Sequence, residues 1–191
     1  MSESGADQSA STSQFDLSDR ITALLFVADD PLDLATLARV LRVTLAEIEQ
    51  AVASLAAQPP AGLIIQRHGE LIQLATQPEL AADVRRLQGD GEPQRLSRAA
   101  LEVLSVVAYR QPCTRADIEV VRGVNSDHAL ETLLARALVQ ELGRRETVGR
   151  PMTFGTTLEF LQLAGLRSLD ELPPLEVAIE RQVNATRRRE S

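Results

Sequence analysis

The sequence predicts a mostly α, α+β protein built as two tandem winged-helix domains, each three helices plus a small β-hairpin wing. Three observations predict it. An order of three short helices and a hairpin runs from Leu17 to Thr76 and again from Leu96 to Thr157. Two Pro-led segments keep one register: Leu37 and Val40 follow Pro31 at the offsets at which Ile118 and Val121 follow Pro112. Composition, 44% hydrophobic with 3% aromatic, suits helices packed through Leu, Ala and Val.

Residues 1–15 are Ser-, Gln-, Asp- and Thr-rich, with little to bury, and read as a disordered N-terminus. In the first domain, 16–88, Ile21, Leu24, Leu25 and Ala28 recur at helical spacing until Asp29-Asp30-Pro31. A second short helix carries Leu34, Leu37, Ala38 and Leu41. Thr44 and Glu47 form a capping box that opens a third, with Ile48, Val52 and Leu55 along one face. Pro59-Pro60 stops it; Leu63-Ile64-Ile65 and Leu71 to Leu74 read as strands joined near His68-Gly69. A helix is expected over Glu79 to Leu87, then a linker over 89–95.

The second domain, 96–174, opens at Ser97, an N-cap. Its first helix, Leu101 to Tyr109, is apolar on more than one face, so it is buried on two sides or meets a neighbour. Thr114 caps a short helix holding Ile118 and Val121, and Arg122 to Asn125 make the turn, where Gly123 permits an unusual backbone. The third helix runs from about Ser126, capped by Asn125 or Ser126, to Leu138. Strands near Val139–Leu142 and Met152–Gly155 flank a wing loop, Gly143 to Pro151. Thr156 and Glu159 suggest another capping box, opening a helix with Leu158, Phe160, Leu161 and Leu163; Ser168 opens a last turn that Pro173-Pro174 closes. Residues 175–191 read as a flexible tail ending in Arg187-Arg188-Arg189.

Net charge is −7 over 191 residues, which disfavours a general nucleic-acid binder. The candidate recognition helices are acidic: one shows Glu47, Glu49 and Gln50 outward and no base, the other Asp127, His128, Glu131 and Thr132 with only Arg136 to offset them, where helix-turn-helix readers rely on Arg, Lys, Asn or Gln. Carboxylates there repel phosphate. Against this stand wing residues Arg144, Arg145 and Arg150; Arg144 and Arg145 offer at most weak, non-specific DNA contact, or pair with acids such as Glu141 and Glu146.

One cysteine, Cys113, precludes an internal disulfide and reads as a small buried residue. Two histidines and scattered carboxylates compose no nucleophile–base set, phosphate loop or metal-ligand cluster, so no catalytic, metal or cofactor-binding residues, cofactor or small-molecule substrate are expected. No apolar run is long enough for a membrane span and no secretory signal is read, so a cytoplasmic protein is expected. Protein recognition remains, with a homodimer as the way to cover spare apolar surface.

The second half has a resemblance that can be named. Leu96-Ser-Arg-Ala-Ala-Leu-Glu, Ala108-Tyr-Arg-Gln-Pro112, Thr114-Arg-Ala-Asp-Ile118 and Arg122-Gly-Val-Asn-Ser-Asp127 resemble the ScpB family, segregation and condensation protein B. So do Thr132-Leu-Leu134, Gly149-Arg-Pro151, Gly155-Thr-Thr157 and Ser168 to Pro174, in the family's order. The first half matches by pattern and position. Cys113 stands where the family commonly has an aliphatic residue and Ala164 where it often has an aromatic, while His128 sits at a variable place.

The resemblance implies a non-enzymatic subunit of the bacterial SMC condensin complex, acting in chromosome condensation and segregation during cell division. It implies a homodimer, formed largely through the first winged helix, that grips the kleisin ScpA and reaches SMC, the ATPase, only through ScpA. Association with the nucleoid follows. Candidate kleisin contacts are Arg110, Gln111, Arg115, Arg122 and Arg150, exposed polar residues in matching motifs. Candidate dimer residues are Leu17, Ile21, Leu24 and Leu25, which cannot all serve both their own core and a partner. The rival reading is a winged-helix transcriptional regulator that uses the wing Gly143–Pro151 on DNA.

Overall fold

The computed structural model describes residues 15–89 and 95–174. The expectations for the N-terminus before Phe15, the linker interior and the tail lie outside them. The chain divides into two compact units between Gly89 and Asp90.

In the first unit, α1 (Leu17–Val27) opens on a capping box: the Asp19 backbone N–H donates to the Asp16 carboxylate at 2.8 Å, and Asp19 returns the bond. A two-residue strand, β1 (Leu32–Asp33), leads into α2 (Leu34–Leu41), which Asp33 caps. Arg42 ends α2 at φ 56°, in left-handed backbone. Helix α3 (Leu45–Ala57) has the expected Thr44–Glu47 box, the Thr44 N–H donating to Glu47 at 2.7 Å. Strands β2 (Leu63–His68) and β3 (Leu71–Thr76) form the hairpin, with Gln66 opposite Gln73. The expected helix over 79–87 is a 3₁₀ turn, Pro78–Leu80, followed by α4 (Ala81–Gln88). Ile21, Leu34, Leu37, Ile48 and Ile72 are fully buried at the centre.

The second unit repeats the plan with α5 (Arg98–Arg110), β4 (Cys113–Thr114), α6 (Arg115–Arg122), α7 (Asp127–Ala135), β5 (Val139–Arg144), β6 (Met152–Thr156) and α8 (Leu158–Ala164). Sheet orders are β1-β3-β2 and β4-β6-β5, all antiparallel, so each hairpin gains a third strand from the segment ahead of its second short helix. Val103, Val107, Ile118, Leu130, Leu133 and Leu161 form the fully buried centre, with Phe154 and Phe160 against them. Cys113 is buried in this core as expected, and burial pushes its thiol pKa up.

Several local expectations are corrected. Strands β1 and β4 are too short for an alternating pattern to show. Helix α7 stops at Ala135, because Ala137 takes φ 52° to turn the chain into β5; Leu138 is still buried. Helix α8 is capped by Thr157, whose hydroxyl accepts from Phe160, so Thr156 and Glu159 form no box. Thr156 instead lies in β6, and Leu163 faces outward. Ser126 makes no side-chain cap; Asn125 accepts from the Asp127 N–H at 3.1 Å. Val40 and Val121, though they mark the repeat, are about half exposed.

Candidate protein-docking faces

The first face belongs to α1. Its apolar positions are more numerous than one stripe can bury, so the helix divides them. Ile21 and Leu25 are 0% and 6% exposed and committed to their own core. Leu17 and Leu24 are half-buried against that core. What α1 and its lead-in offer outward is Phe15, Phe26 and Val27, at 61%, 83% and 73% exposure. Phe15 and Phe26 line an open groove of about 870 Å³ with Ala23, Leu55, Pro60 and Leu63. Sequence periodicity ranked these residues poorly because it rewards core-facing positions; Phe26 next to Val27, one residue beyond the Leu24–Leu25 pair, was the available signal.

The carboxylates of the candidate recognition helices are partly engaged within each unit, and Arg136, which caps the end of α7, is half-buried. Glu49 is held by Arg67 of β2 through two parallel bonds of 2.6 and 2.9 Å, which lower its carboxyl pKa. On α7, Asp127 takes a bond from Asn125 and an ion pair from Arg115; both hold its carboxyl below the ordinary range, Asn125 first. His128 and Glu131 face outward.

The five candidate kleisin contacts separate into two groups. Arg110 and Arg150 are exposed and have no ion pair among the described residues. The other three are bound within the unit. Gln111 accepts from the Thr156 N–H at 2.7 Å and donates to the Thr156 hydroxyl at 3.0 Å, joining the end of α5 to the end of β6. Arg115 pairs with Asp127. The Arg122 side chain is 9% exposed; it reaches Glu102 of α5 at 3.1 Å and the Ser126 hydroxyl at 2.8 Å, and its buried Nε has no partner.

Helix α6 is therefore a hub. Besides Arg115 and Arg122, Asp117 receives Arg145 from the wing at 2.8 Å, and Glu119 accepts from the Ser126 N–H at 3.2 Å. The Asp117 carboxyl is lowered, first by the Thr114 N–H, then by the Thr114 hydroxyl and Arg145. The acid that answers Arg145 is thus Asp117, rather than Glu141 or Glu146. Arg145 also donates to the Pro112 carbonyl at 3.2 Å, and Arg144 to the Arg150 carbonyl at 3.0 Å, so both wing guanidinium groups have contacts within the unit.

Among the described residues no group of three or more His, Cys, Asp or Glu side chains could hold a metal ion. No described helix is long and apolar enough to cross a membrane.

Comparison with known proteins agrees with the motif resemblance. The family profile "Segregation and condensation complex subunit ScpB" matches residues 19–175. Segregation and condensation protein B of Desulforamulus reducens is 45% identical over 162 residues, 82% of this chain and 87% of the relative. That of Geobacillus thermodenitrificans is 46% identical over 159 residues, 81% of this chain and 76% of the relative. The crystal structure of ScpB from Mycobacterium tuberculosis is 36% identical, covering 86% of this chain and 99% of its own, with a TM-score of 0.38. A crystal structure of a dimer of a ScpB N-terminal domain complexed with a ScpA peptide is 30% identical over 37% of this chain and 91% of its own, with a TM-score of 0.34. By profile, by motifs and by identity over most of its length, this chain belongs to the ScpB family of segregation and condensation complex subunits.

Proposed function

We propose that this chain is a non-enzymatic adaptor of an SMC condensin complex: a homodimer that binds the kleisin ScpA and touches SMC only through it. The observation that carries the dimer is the outward display of Phe26 and Val27 on α1 beside the Phe15–Pro60 groove. Two such faces meeting about a two-fold axis would cover surface that is costly to leave in water, about 25 cal/mol per Å². Family membership supports ScpA as the partner. Arg110 and Arg150 are the guanidinium groups placed to meet its acidic or aromatic side chains. Gln111, Arg115 and Arg122 serve binding indirectly, by holding α6 and β6 in place. Cytoplasmic action at the nucleoid follows from that complex.

Light scattering on the purified chain, alone and with the central segment of ScpA, tests this. A dimer near twice 20.8 kDa that becomes a larger defined complex supports the adaptor. A monomer indifferent to ScpA overturns it. The rival regulator would use the wing on DNA; the contacts made by Arg144 and Arg145 and the acidic face of α7 weigh against it. That reading requires sequence-selective binding that falls steeply with salt.

A further inference from the structure

We infer that the outer face of α6 and the turn after it, Val120, Val121 and Val124, seats a short aliphatic segment of the kleisin partner. The helix is inside out. A surface helix ordinarily buries its valines and shows its charges. In α6 the charged residues Arg115, Asp117, Glu119 and Arg122 all bond to neighbouring elements, while Val120, Val121 and Val124 stand 83%, 44% and 55% exposed.

Folding does not require these valines. Val120 and Val121 are β-branched and so are poor helix formers, and at 83% exposure Val120 has little burial to offset it. The first unit, built on the same topology, has Arg39 at the repeat position of Val120 and packs Val43, the counterpart of Val124, against its core. Val40, the counterpart of Val121, is half exposed as well, so what the second unit adds to the shared position is Val120 and Val124.

Its size and charge select the occupant. Three partly exposed valines present on the order of 300 Å², well short of the roughly 800 Å² per partner that a stable dimer buries. A second copy is too large a partner for it, whereas two or three aliphatic anchors of one peptide segment match. With its charges satisfied internally, α6 offers little to attract a charged ligand, so the contact is apolar and weakly salt-dependent. The inference rests on the adaptor reading above and adds where on the second unit the kleisin sits.

The test is titration of the full chain with the purified central segment of ScpA, comparing the unaltered protein with Val120→Glu/Val124→Glu. Both positions are exposed, so helix content and dimer mass should hold while affinity falls at least about tenfold. Unchanged affinity in the double variant, with the parent chain binding, overturns this inference and leaves the adaptor standing. Failure of the parent chain to bind overturns both. Loss of dimer mass in the variant assigns the face to a second copy and overturns the kleisin assignment. Should the double Glu variant misfold, Val120→Thr/Val124→Thr keeps the shape and is expected to lose affinity several-fold; no loss overturns the inference.

Discussion

At residue scale, the most informative side chains have a second use for their chemistry. Arg122 is charged and 9% exposed, and is tolerated because Glu102 and Ser126 meet it. Glu102→Gln leaves that guanidinium without its counter-charge, and chemical denaturation should show a loss of about 1–3 kcal/mol. Arg42 ends α2 in left-handed backbone where the second unit uses Gly123 for the same turn. Arg42→Gly is expected to be neutral or to stabilise by up to about 1 kcal/mol in the same assay, since glycine takes that conformation without a Cβ penalty. Carboxyls of Glu49, Glu102 and Asp117 are depressed by hydrogen bonds in the folded chain. A depressed folded pKa contributes stability in full above the ordinary carboxylate value near pH 4, and that stability is lost as pH falls through the lower folded value. Urea midpoints should therefore drop on acidification below about pH 4, and less steeply in Asp117→Asn.

At the scale of elements, Phe26 carries a sharp expectation. Phe26→Asp changes an exposed position, so α1 should persist by circular dichroism while the dimer mass falls to that of a monomer in light scattering. The same helix shows what the sequence made legible. Ile21 and Leu25 recur at core spacing, and both are core; the choice between core and partner depends on which way α1 is rolled, which only packing decides. Caps read well where the side chain acts locally, as at Thr44 and Ser97. Thr156 failed as a cap because β6 extends through it and Gln111, distant in sequence, claims its N–H. The hub role of α6 was illegible for the same reason: Glu102, Asp127 and Arg145 reach it from three other segments. Gly155 belongs to this class. A Cβ there would lie 2.8 Å from the Gln111 side-chain Oε1 and 2.6 Å from Leu142 Cδ1, so the matched glycine keeps room for the α5–β6 junction.

At the scale of the whole molecule, repetition was the strongest signal, and the two units do share one strand order. Each closes its own core, so their stabilities can be followed separately. The single tyrosine, Tyr109, donates to the Pro173 carbonyl at 2.7 Å within the second unit. Its fluorescence should report Leu130→Ala as a loss of about 2–5 kcal/mol and stay nearly blind to Ile48→Ala, which circular dichroism would register. The self-contained first unit has a further consequence inside a cell. On the dimer proposed above, a gene fragment encoding only that unit would yield a half that pairs with intact chains through α1 yet lacks the valine face and the wing Gly143–Pro151. Such mixed pairs would be dead-end assemblies. The fragment should act as a dominant poison, producing daughter cells without DNA even while the normal gene is expressed.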